Sequence, residues 1–126
     1  MPRDQRKLVT DHDAFGYFAA RYGIEVIGAV LPSQSTQAQA SAGDTAKLAR
    51  LIEREDVRAV FPSESLNSDV AKALADQAGV TARYGLYSDT LGPEGSSGAT
   101  YLGSLQANAD AMVRGFTGDK RQCEAP

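Results

Sequence analysis

The sequence predicts an α/β fold, a single lobe in which a four-stranded parallel sheet is flanked by helices on both faces. Three observations lead there. Short runs rich in β-branched residues alternate with helix-period apolar stripes four times along 126 residues,. Such alternation leaves few packings other than right-handed crossovers onto a parallel sheet. The length suits one core and is too short for two ordinary domains, so the whole of 1–126 reads as one unit with its core at about 6–118 and a frayed tail at 119–126,.

Residues 7–10 (KLVT) form the first predicted strand. Phe15, Phe18, Ala19 and Tyr22 then recur at the spacing of one helix face, and Gly23 stops that helix,. Residues 24–30 (IEVIGAV) read as a second, mostly buried strand,. The polar stretch 31–44 is a surface loop, followed by a helix carrying Leu48, Leu51 and Ile52,. Residues 57–61 (VRAVF) make the third strand, ended by Pro62. Asn67 or Ser68 caps the next helix, whose Val70, Leu74 and Ala78 face inward and which closes at Gly79,. Residues 80–87 (VTARYGLY) are a weaker fourth strand. After a glycine-rich loop at 91–98, Leu102, Leu105, Ala109, Met112, Val113 and Phe116 trace the inner face of a last helix that ends near Gly118,.

Composition narrows the function classes. A net charge of −3 with no long Lys/Arg cluster offers no general field for a phosphate backbone, so nucleic acid is not an expected partner,. The single cysteine, Cys123, rules out an internal disulfide or a metal site built on paired cysteines,. No apolar run approaches the roughly 20 residues that span a bilayer, and the start, MPRDQRKLV, lacks the apolar core of a secretory signal,.

In a parallel sheet, ligands bind beyond the carboxyl ends of the strands. That rule selects Asp11, His12 and Asp13, then 32–39, then Ser63, Glu64 and Ser65, then Ser88, Asp89 and Thr90. His12, the chain's one histidine, and Asp89 emerge from two strand ends that the fold can bring onto one rim. Imidazole with carboxylate suits Zn2+ or Mn2+. Zinc normally takes three or four protein ligands, so Glu64, water or another surface must complete the shell. Other readings stay open at this level. His12 can be an exposed helix-start residue, and Asp11 and Asp13 can cap or complement the first helical turn. His12 with Glu64 or Asp89 can form an acid–base dyad. Ser63 and Ser65 lack the G-x-S-x-G turn of a serine hydrolase. Residues 92–98 (GPEGSSG) can cradle an anion with backbone N–H groups or simply form a loop,.

The motifs LVTDHDAFGYFAARYG, FPSESLN and LYSDTLGPEG…TYLGSLQAN, in this order and spacing, resemble the C-terminal lobe of the zinc- and manganese-binding solute-binding proteins of ABC importers. The resemblance runs from about Arg6 to about Gly118. It implies half of a two-lobed receptor joined by a long helix, with the metal held by two histidines of the N-terminal lobe and by a histidine or glutamate and an aspartate of this one. His12 matches the first of these and Asp89 the second. Where relatives often read FPESS or FVESS, residues 61–65 read FPSES, which moves the acid by one residue to Glu64.

The resemblance further implies Zn2+, or alternatively Mn2+, bound weakly by this lobe alone. Its partners are the missing N-terminal lobe and an ABC permease, in a periplasmic or membrane-anchored extracellular setting. No reaction is implied. A homodimer through the exposed lobe face is a further expectation. The competing expectation is a stand-alone α/β partner-binding or signalling domain without a metal role, and a third is a small hydrolase with His12 as base.

Overall fold

The computed structural model describes residues 2–11, 14–30, 42–64, 69–88, 90–121 and 123. A short 3-10 turn at Arg3–Gln5 leads into β1 (Lys7–Thr10), α1 (Gly16–Tyr22), β2 (Glu25–Ala29), α2 (Ala42–Arg54), α3 (Asp69–Ala78) and α4 (Tyr101–Thr117). β1 and β2 pair in parallel, with a register irregularity between Leu8 and Val9.

The α/β class and its parallel direction are those read from the sequence, but a regular four-stranded sheet is not what forms. The third and fourth expected strands join through single parallel bridges, Thr10 with Phe61, Ala59 with Thr81 and Ser63 with Leu86. Between the last two bridges one segment advances four residues, 59 to 63, and the other five, 81 to 86. The extra residue breaks the ladder as a bulge does. Pro62 lies in the same interval and has no N–H to donate, although its carbonyl accepts from the Leu86 amide at 2.8 Å,. The spatial order is therefore β2, β1, the 59–63 segment and the 81–86 segment, all pointing one way.

Alternation along these segments sorts the core into two layers. Val9 and Val60 point to one face and pack with Ala49 and Ile52 of α2 and Ala71, Leu74 and Ala75 of α3. Leu8, Ala59, Phe61 and Leu86 point to the other and pack with Met112 and Phe116 of α4, flanked by Phe15 and Phe18 at α1. Helices thus cover both faces. Gly23 and Gly118 end α1 and α4 in the left-handed conformation, with φ of 65° and 60°. Both stops fall where the sequence places them.

Several inward assignments need correction. β2 is not mostly buried: Glu25 and Val26 are exposed and Ile27 to Ala29 half-buried, and among the described residues it pairs only with β1. Val70 is 46 % exposed, because α3 packs through Ala71, Leu74 and Ala75. On α4 the buried face is Ser104, Asn108, Met112, Gly115, Phe116 and Thr117, whereas Leu102 is 64 % exposed. Small and polar residues let α4 approach the sheet, and most of the apolar stripe turns outward to line a groove shared with α1. α2 begins at Ala42, inside the expected loop; residues 31–41 and the caps Asn67 and Ser68 lie outside the described residues.

Candidate metal-binding edge

All four parallel segments run the same way, so their carboxyl ends form one edge, and three of them are stitched together there. The Ser63 amide donates to Asp11 Oδ2 at 2.5 Å. The Ser63 hydroxyl lies 3.1 Å from that of Ser88. Thr10, Asp11 and Ser63 are buried, and together with Ser88 they sit over an apolar floor of Phe15, Phe61 and Leu86. Ser63 therefore links the residue that precedes His12 in the chain to the residue that precedes Asp89. His12, Asp89 and Asp13 themselves lie outside the described residues. Among the described residues, no three His, Cys, Asp or Glu side chains converge as a metal-binding group.

Tyr87, just before Ser88 in the chain, is held by a residue that the sequence reading missed. Asn108, 3 % exposed in the middle of α4, accepts the Tyr87 amide with Oδ1 and donates to the Tyr87 carbonyl with Nδ2, both at 2.8 Å. One side-chain amide thus replaces a neighbouring strand for the backbone of Tyr87. A search for apolar periodicity passes over it; the signal was a polar residue four positions before Met112 and four after Ser104, on the buried face of α4. Asn108→Ala leaves both backbone groups of Tyr87 unpaired in a half-buried setting and is expected to cost about 1–3 kcal/mol, read as a lower urea midpoint at unchanged slope.

The Tyr87 ring in turn covers the glycine-rich loop. A β-carbon added at Gly98 would overlap the ring, and one at Gly92 would lie 2.9 Å from it. The loop closes on itself, with the Gly92 amide donating to the Gly98 carbonyl at 2.7 Å and the Ser96 amide to the Pro93 carbonyl at 3.0 Å. Two of the amides that an anion cradle could use are thus engaged within the loop.

Two other acids take different places. Glu64 is exposed and lies over Gly85, where an added β-carbon would collide with its carboxylate. Asp11 does not cap α1, which starts at Gly16 with Phe15 as its N-cap and no side-chain cap bond. At the far end of the chain, Cys123 donates its amide to Asp110 Oδ1 at 2.8 Å. Partial burial and then the Asp110 charge push its thiol above the ordinary range, which disfavours the thiolate needed for metal binding or nucleophilic attack.

Comparison with known proteins shows the family. The family model described as ZnuA, zinc-uptake complex component A periplasmic, matches residues 1–115. The chain belongs to this family. It is 40 % identical over 118 residues to the zinc-binding protein TroA of Treponema pallidum (strain Nichols), covering 90 % of this chain and 38 % of that protein. It is 34 % identical over 119 residues to the manganese-binding lipoprotein MntA of Bacillus subtilis (strain 168), again covering 90 % of this chain and 38 % of that protein. The solved structure of the periplasmic zinc-binding protein TroA from Treponema pallidum superposes with a TM-score of 0.83 at 38 % identity, over 92 % of this chain and 43 % of that one. The Cd-bound periplasmic metal-binding protein from Candidatus Liberibacter asiaticus shares the fold, with a TM-score of 0.79 at 18 % identity, over 91 % of this chain and 42 % of that one. The chain thus spans about 40 % of the length of the relatives it matches.

Proposed function

We propose that this chain is a metal-binding lobe of an ABC importer's receptor, holding Zn2+, or alternatively Mn2+, with His12 and Asp89 as its ligands and passing the ion to a membrane permease. The observation that carries the reading is the Asp11–Ser63–Ser88 link, since it ties together the two junctions from which those ligands follow in the chain. The names of the relatives, zinc-binding for TroA and manganese-binding for MntA, support the choice of cargo.

Binding in this reading involves no bond-making beyond coordination, so the protein is a receptor and not an enzyme. Imidazole favours zinc over harder ions. Two ligands leave room in the shell for water or for groups from another surface, and the affinity of this lobe alone is correspondingly low.

The groove between α1 and α4 supports the remainder of the reading, completion by an N-terminal lobe in a periplasmic or membrane-anchored receptor. It is lined by Phe18, Leu102, Leu105 and Met112, and Tyr17 and Tyr101 at its edge are 97 % and 73 % exposed. Contiguous apolar surface of this kind is normally covered by a partner. Without that lobe, a second copy of the chain is the alternative cover.

Calorimetric titration of the chain with zinc at neutral pH tests the function. Saturable binding of one ion per chain is the expected result. Absence of saturable heat up to millimolar zinc would reject the metal role and leave the stand-alone partner-binding domain as the reading.

A further inference from the structure

Asp11 is a buried acid at the same sheet edge, and it does not cap α1. Its residue is only 5 % exposed, and its carboxylate reaches across the sheet edge to the Ser63 amide. Burying a carboxylate is costly even when it is hydrogen-bonded. The Asp11 carboxylate places negative charge at the rim, next to His12 in the chain and joined through Ser63 to Ser88. Glu64, another acid of the edge, is exposed and lies over Gly85 instead.

We infer that Asp11 is a positioning residue of the cation site, its buried carboxylate holding the Ser63 junction and supplying negative charge that strengthens divalent-cation binding. This rests on the reading of the edge as a metal site. A cation arriving there is attracted to a charge held in place before it binds, in surroundings that screen the interaction less than water does. Groups that support metal ligands from behind in this way typically change affinity by about 10–100-fold when lost.

The test separates charge from scaffolding. Asp11→Asn keeps an acceptor for the Ser63 amide and removes the charge. With zinc as the probe, it should bind about ten-fold more weakly while its thermal unfolding midpoint stays near the parent's. Asp11→Ser, a smaller neutral acceptor, should lose zinc affinity to at least the same extent, and Asp11→Ala should lose both affinity and stability. Either neutral-acceptor variant, folded and binding zinc as the parent does, overturns the inference. If His12→Ala abolishes binding while Asp11→Asn leaves it intact, only the role of Asp11 falls. A parent chain with no saturable zinc binding removes the site and this inference together.

Discussion

Alanine at His12, or at Asp89, is expected to abolish saturable zinc binding by the chain. Two protein ligands are the fewest that can define a position for the ion, and with one removed the remaining group binds hardly better than a surface side chain. The loss exceeds that of a supporting residue, so a fall of more than about 100-fold is expected. Each variant should give the same result alone, and the double variant should be no worse than either single one, because groups acting as a unit are not additive. Calorimetry with zinc, accompanied by circular dichroism to show that each variant is folded, provides the measurement. Undiminished binding in either variant removes that residue from the site. Retained binding in both would place the metal elsewhere.

Gly115→Ala should be among the most damaging substitutions in the core, although alanine is intrinsically the better helix former by about 1 kcal/mol. α4 passes so close to the sheet that a β-carbon at Gly115 would overlap Phe61 Cζ and lie 2.6 Å from its Cε1 and 3.2 Å from the Ala59 β-carbon. Phe61 cannot swing aside. It is 1 % exposed, and its ring is set edge-on against Phe116 at a centroid separation of 5.6 Å. The helix must therefore move, at a cost of about 1–3 kcal/mol, or roughly 4–12 °C in the thermal midpoint. Because Phe61 also floors the proposed metal-binding edge, zinc affinity should fall with stability. Phe61→Leu in the same chain removes the obstructing ring atoms, so the double variant should be less destabilised than the two single effects added. Strict additivity would show that the clash is relieved some other way.

Much of the fold was legible in the residue pattern. KLVT, the aromatic stripe from Phe15 to Tyr22 and the glycine stops at 23 and 118 each carry a local cause, be it β-branching, helical period or left-handed freedom, and each appears where expected. The inward faces of α3 and α4 were less legible. Hydrophobicity picks out Val70 and Leu102, but close packing against a twisted sheet favours small residues, so Ala71, Ala75, Ser104 and Gly115 went inside. The regularity of the sheet was not legible either, since the bulge between 81 and 86 depends on how Pro62 meets its neighbour.

By itself the sequence determined the α/β class, the parallel direction and the list of strand-end residues from which a site could be drawn, because these follow from local periodicity and the handedness of crossovers. It also carried the motif resemblance that pointed to a metal receptor. Only the tertiary structure decided that Asp11 turns from the helix to the Ser63 amide, that Ser63 reaches Ser88, and that Asn108 holds Tyr87. Those contacts join residues between 21 and 52 positions apart. A buried polar group takes whatever partner the assembled core brings within reach, and no local pattern encodes that choice.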